Sequence, residues 1–202
     1  MNKMEKSTKD ISKRLNVTRE SRELILKKSR DVITLASTAI INAHRKDLKT
    51  AKNNVKKAEK ILKELKKKSQ TSTARYIISP ETEVVEAIVF IKIIEKKDIP
   101  TQKELNVNDA SYLLGLLDCV GEIKRLVLDS IRTGNLEDAK MLFEIMERVY
   151  LTILPLATFD KVVDGGLRRK LDVSRSLIES VRSVITEEVR REELIKQMKD
   201  RQ

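Results

Sequence analysis

Apolar residues recur every third or fourth position through most of this chain, and alternation of the kind that marks a half-buried strand is absent. From about residue 15 to 68, Ile25, Val32, Leu35, Ala39 and Ile40, then Ala51, Val55, Ala58, Leu62 and Leu65, keep helical spacing, with a bend expected near Asp47. Residues 69–72 read as a polar loop. Ser79-Pro80 then places a proline where a helix over about 81–96 would begin, because proline is tolerated in the first turn. Pro100 ends the next loop. Thr101 and Glu104 have capping-box spacing, and a second start signal at Asn108-Asp109 leads into a stronger helix over about 110–132. Gly134-Asn135 breaks that helix, another runs to about Leu154 before Pro155, and Gly165-Gly166 precedes a last helix reaching about Met198. No internal repeat is visible.

Composition sharpens this into an all-α fold. Five glycines and three prolines in 202 residues leave little turn chemistry for hairpins, and the length suits a single domain spanning residues 1–202. The longest apolar stretch, 84–94, is interrupted by Glu86 and Lys92 and falls short of the ~18 residues of a membrane span. The charged N-terminus lacks a signal-peptide core and Cys119 is the lone cysteine, so a cytoplasmic, membrane-free protein is expected. A formal net charge of +11 attracts polyanions, and with aromatics at only 3% a nucleic acid would be held through its phosphates rather than by base stacking. Lysines crowd residues 49–68. A solvated helix face explains them most simply, and an RNA-binding stripe is the sharper alternative.

Four carboxylates carry the chemistry. Glu83 and Glu86 are three apart and share a helical face with Phe90, Ile93 and Ile94, so they are expected to point inward, where an ionised carboxylate costs several kcal/mol unless a cation compensates. On the helix over 110–132, Leu113, Leu116, Leu117, Val120, Val127 and Ile131 form one face, while Ser111, Gly115, Asp118, Glu122, Arg125 and Asp129 form the opposite stripe. Gly115 and Gly121 each cost ~1 kcal/mol in a helix interior, which suggests a close approach of backbone or ligand beside these acids. Carboxylate oxygens suit Mg²⁺ or Mn²⁺. On spacing alone, however, Asp118 and Glu122 read equally well as the wet face of an ordinary helix, and Glu83 and Glu86 as partners of Arg75 or of a lysine on another helix.

Other chemistries find less support. A di-iron bundle requires two Glu-x-x-His motifs, and His44 is the only histidine; it reads as a helix surface residue. Cys119, inside an apolar run with no histidine in its own segment, reads as a small core residue. No glycine-rich phosphate loop exists.

Three stretches resemble the translin family, and within it the translin-associated factor X branch. They are Lys28-Ser-Arg-Asp31, the segment from Arg75 to Ala87 reading RYIISPETEVVEA, and that from Tyr112 to Arg125 reading YLLGLLDCVGEIKR. The segment from Leu167 to Glu179 is similar to prokaryotic, archaeal members. The resemblance implies a seven-helix bundle with long helices, assembled into a hollow homo-oligomeric shell, an octamer, that handles single-stranded RNA or single-stranded DNA. It further implies a Mg²⁺-dependent endoribonuclease, with Mn²⁺ as a substitute, whose Glu-x-x-Glu falls on Glu83 and Glu86 and whose Asp-x-x-x-Glu falls on Asp118 and Glu122. The alternative is a shell that binds single strands without cutting them. Arg75, Lys124, Arg125, Arg168 and Arg169 are the candidate RNA contacts, with salt bridging as their plainer role. The apolar seams at 51–65 and 167–185 are expected to be partly buried between subunits.

Overall fold

The computed structural model describes residues 2–69, 75–163 and 166–200. Its helices are α1 (Lys3–His44), α2 (Leu48–Lys68), α3 (Arg75–Ile94), the single turn α4 (Gln102–Leu105), α5 (Asp109–Arg132), α6 (Leu136–Ile153), a 3₁₀ helix (Leu154–Phe159) and α7 (Leu167–Lys199). No strand occurs among the described residues, and no helix is long and apolar enough to cross a membrane. The all-α expectation therefore holds, with seven α-helices among the described residues.

The helix boundaries follow from local chemistry. The expected bend at Asp47 is a full break: Lys46 adopts a left-handed φ of 65°, and the Asp47 side chain caps α2 by accepting from the Thr50 amide at 3.0 Å. Both start signals near residue 100 are used. Thr101 and Glu104 form the capping box of α4, and Asn108 caps α5 by accepting from the Ser111 amide at 2.8 Å. Gly166 caps the start of α7 and offers no side chain to do so, and Asp160 reaches across to accept from the Gly166 and Arg168 amides at 3.1 and 2.9 Å. Of the expected loop at 69–72, only Ser69, which ends α2, lies within the described residues.

α3 corrects the expected start at residue 81. It begins at Arg75 and carries Pro80 inside it. A proline within a helix leaves the carbonyl four residues back without its amide donor, a defect of about 3 kcal/mol when nothing compensates. That carbonyl belongs to Tyr76, and the buried Ser29 hydroxyl of α1 donates to it at 3.4 Å. A side chain from the neighbouring helix thus supplies what the proline withholds, and α3 gains nearly two turns.

α3 and α5 form the centre. The α1–α2 hairpin packs on α3, and the α6–α7 hairpin packs on α5. One continuous core runs through all of them, built on residues such as Val32, Leu62, Phe90, Val120, Met146 and Val181. The seams expected to lie between subunits are part of this core: Ala51, Val55, Ala58, Leu62 and Leu65 are buried, as are Leu167, Leu171, Ile178, Val181 and Ile185. A single chain covers them because α2 and α7 each lean on two other helices. The apolar surface left over is elsewhere. Met4, Ile11, Leu15 and Val17 on the first half of α1 are exposed, as are Leu194, Ile195 and Met198 at the end of α7.

The two interior glycines of α5 differ. A Cβ at Gly115 would meet the Thr82 carbonyl oxygen and the Val85 side chain of α3 at 2.8 Å, whereas one at Gly121 would meet nothing within 4 Å. The close approach expected of both is thus found only at Gly115. Gly115→Ala should destabilise the fold by roughly 1–3 kcal/mol through overpacking, while Gly121→Ala should stabilise it by up to about 1 kcal/mol through helix propensity. Urea denaturation of the two variants checks this, and shifts of the same sign would contradict the packing.

Candidate active site

The contact between α3 and α5 gathers the four predicted acids. Glu83 and Glu86 lie on successive turns of α3, Asp118 and Glu122 on successive turns of α5, and all four are half-buried. The face of α5 read as possibly wet is therefore the face turned to α3, with Gly115 at its tightest point and Arg125 beyond it at the exposed edge.

Their charges act on one another. Burial first, then the negative charges of Asp118, Glu83 and Glu122, push the Glu86 carboxyl up to about 8, with only Lys170 opposing. Glu83 is raised in the same way, by burial and then by Asp118, again against Lys170. Among the described residues no hydrogen bond or ion pair reaches either Glu83 or Glu86. The thiol of Cys119, fully buried in the core as expected, is driven well up by burial and by the nearby Glu86, Glu122 and Asp118, and stays protonated.

Two basic groups touch the cluster, and neither was in the predicted set. Lys170 of α7 pairs with Asp118, so the cation acting here comes from α7 and not from Arg75. It is the third member of the Arg168-Arg169-Lys170 run, of which the first two were singled out. His44, expected on the helix surface, is instead buried at the end of α1, its side chain only 7% exposed. Its Nε2 lies 2.5 Å from Glu122 Oε2 and its ring packs on Phe90, centroids 4.6 Å apart. The correction has a simple origin, since His44 follows the buried Ala39, Ile40 and Ala43 on the inner face of α1. Helical spacing from Ile40 was the signal that could have found it.

The predicted RNA contacts are dispersed. Arg75 is exposed and donates to the Tyr76 hydroxyl at 2.9 Å, with its guanidinium 5.0 Å over that ring. Lys124 donates to Ser180 Oγ on α7 at 3.4 Å. Arg168 is exposed and donates from its side chain to the Ala157 carbonyl at 3.2 Å. Arg125 and Arg169 are exposed, and neither forms an ion pair among the described residues.

Glu81, five residues before Glu86, makes the contrast. It is buried to 1%, pairs with Lys66, and accepts from both the backbone amide and the side-chain Nδ2 of Asn108, at 2.9 and 2.6 Å. This acid has a cation at one oxygen and two donors at the other, and ties α2, α3 and the start of α5 together; Glu86 has no such partners.

The donor set suits a hard divalent cation: four carboxylates outnumber the one ammonium beside them, that of Lys170, and Glu86 holds its proton up to about pH 8. As placed, with Asp118 on Lys170 and Glu122 on His44, no three of the described His, Cys, Asp or Glu side chains converge into a ready-made metal cage. Cation binding would require the Lys170–Asp118 pair to loosen.

The raised Glu86 value sets the pH dependence of stability. Because the folded protein holds this proton more tightly than the unfolded chain, its contribution is full below the ordinary value of 4.5 and is lost as pH rises to about 8. With chelator present, the melting temperature should fall across that window. Glu86→Gln should flatten the fall and melt higher than the unsubstituted protein at the alkaline end. Calorimetric scans at several pH values check this, and an unchanged slope in the variant would assign the effect to other groups.

Comparisons with known proteins agree with this architecture. An uncharacterized protein of Methanocaldococcus jannaschii is 34% identical over 163 residues, covering 78% of this chain and 72% of that one. Among solved structures, AfC3PO, both alone and in complex with duplex RNA, superposes with a TM-score of 0.80 at 30% identity over 89% of this chain and 95% of that chain. Apo-NeC3PO matches at a TM-score of 0.78 and 26% identity with the same coverage. The translin family model matches residues 9–187, and the chain belongs to the translin family.

Proposed function

We propose that this protein is a metal-dependent endoribonuclease acting on single-stranded RNA, with Glu83, Glu86, Asp118 and Glu122 as its catalytic and metal-holding residues. The observation that carries the reading is the confinement of these four acids between α3 and α5, with Glu86 held at about 8 and no donor to relieve it. Buried acids kept unsatisfied are a cost to the fold, and a bound cation is the natural relief. The match of all four to the acidic motifs of the factor X branch supports the same conclusion.

Mg²⁺, or Mn²⁺ in its place, would supply positive charge beside the phosphate and lower the pKa of an attacking water. The chain's own residues do the rest. The four carboxylates hold the cation. Lys170, once displaced from Asp118, offers its ammonium to a phosphate oxygen. Exposed Arg75, Arg125, Arg168 and Arg169, with half-buried Lys124, contribute to the +11 charge that draws the strand in. In the reaction, water forms a new P–O bond, the bond to one ribose oxygen breaks, and that oxygen leaves with a proton.

The second reading, a translin-like shell that binds single strands without cutting them, is favoured by one observation: Asp118 and Glu122 already have basic partners, and no cage is preformed. AfC3PO holds duplex RNA, so binding as such does not separate the two. Cleavage does. Labelled single-stranded RNA should be cut with Mg²⁺ and left intact with chelator, and Glu122→Gln should lower the rate about 100-fold or more. RNA that is bound but remains whole under both Mg²⁺ and Mn²⁺ would establish the second reading.

The assembly proposed is a closed homo-oligomer, an octamer, with the acids facing its cavity. The uncovered apolar residues on the first half of α1 and the end of α7 support subunit contacts there. Light scattering should give a mass about eight times 23.2 kDa. Within such a shell, access favours flexible or short RNA over long, stiff duplex; a monomer that cleaves at full rate would overturn the enclosed site.

A further inference from the structure

We infer that His44 is a positioning residue for Glu122, orienting that carboxylate for the divalent cation without ligating the cation itself; this rests on the metal-site reading above. Three observations meet at the ring. Nε2 lies 2.5 Å from Glu122 Oε2, so the proton on Nε2 is assigned by its carboxylate acceptor. The opposite nitrogen, Nδ1, is buried with no hydrogen-bond partner. The ring face rests on Phe90, 4.6 Å between centroids, with the planes tilted by 44°.

Together these leave the imidazole one polar task. Its depth and its contact with Phe90 fix the ring, and the fixed ring holds one oxygen of Glu122. A glutamate side chain carries three rotors, and ordering it costs free energy each time a ligand is bound. Anchoring Oε2 removes much of that cost beforehand and leaves Oε1 as the oxygen His44 does not engage. His44 is no ligand itself, because Nε2 is committed to Glu122 and Nδ1 is enclosed. Partners that orient a metal-binding carboxylate typically change metal affinity by about 10- to 100-fold when removed. The arrangement also explains why the end of α1 matters to a site otherwise built on α3 and α5: α1 packs directly on α3, which carries Phe90.

The test measures Mn²⁺ affinity by calorimetry on the assembled protein, with RNA cleavage followed separately. His44→Phe keeps the ring volume against Phe90 and removes the donor; His44→Gln keeps a donor at similar reach. The expected result is a loss of about 10- to 100-fold in Mn²⁺ affinity for His44→Phe, recovery to within a few-fold in His44→Gln, and no further loss when His44→Phe is added to Glu122→Gln. Wild-type affinity in His44→Phe, or equal losses in the Phe and Gln variants, would overturn the inference. If His44→Phe fails to fold, His44→Asn, whose shorter side chain falls short of Glu122, supplies the same contrast with His44→Gln. Wild-type protein that binds Mn²⁺ but leaves RNA whole would remove the nuclease reading while the affinity comparison still decides the role of His44. Wild-type protein that binds no Mn²⁺ would overturn both.

Discussion

The approach of α3 to α5 at Gly115 is the contact on which the rest of this structure turns. With a Cβ there meeting the Thr82 carbonyl oxygen and Val85 at 2.8 Å, any other residue would wedge the two helices apart. Their closeness brings Asp118 and Glu122, one and two turns further along α5, against Glu83 and Glu86 of α3. The flanking hairpins then deliver the basic groups, His44 from α1 and Lys170 from α7. A glycine that costs helix propensity thus sets the spacing of a charged site, and the apolar core on either side supplies the stability that such a site consumes.

α3 carries two kinds of buried acid within six residues, and the difference between them is the firmest guide to function. Glu81 is the more deeply buried, yet the Lys66 ammonium pairs with its Oε1 and both donors of Asn108 reach its Oε2. Glu86 is less buried and meets three other carboxylates. A fold selected for stability alone would treat both acids as it treats Glu81, because breaking or omitting the partner of a buried charge is among the costlier defects a protein can carry. Local strain of this kind is characteristic of sites that await a ligand.

Much of this was legible in the sequence, and the failures share a cause. Helix periodicity, the break at Asp47, the caps at Thr101 and Asn108 and the four acids were readable because each depends on residues within a turn or two of one another. α3 started early because the donor that rescues the Tyr76 carbonyl is Ser29, 47 positions away, and no local rule contains it. Lys170 and His44 were missed for the same reason: each acquires its role from a partner on another helix, 52 and 78 positions distant. In the Arg168-Arg169-Lys170 run, density of charge pointed to the two arginines, whereas helical phase selects the lysine. The orientation of α5 is not legible in its spacing because one of its faces is apolar and the other is packed as well, and periodicity registers only the first.

The misplaced subunit seams lead to the same distinction between local pattern and tertiary use. An amphipathic stripe shows that a face is covered without showing by what, and in α2 and α7 the cover is this chain's own core. The first half of α1 is different. Residues 3–20 are exposed along their whole length, and a helical segment of that size without tertiary contacts is marginal in water. Met4, Ile11 and Leu15, seven and four positions apart, nevertheless lie on one face. An uncovered stripe on a segment that needs packing to persist points to cover from outside the chain. The apolar end of α7, with Leu194, Ile195 and Met198 exposed, poses the same requirement. The surface that favours assembly is therefore the part of each long helix that overruns the bundle, while the part inside the bundle holds the acids in place.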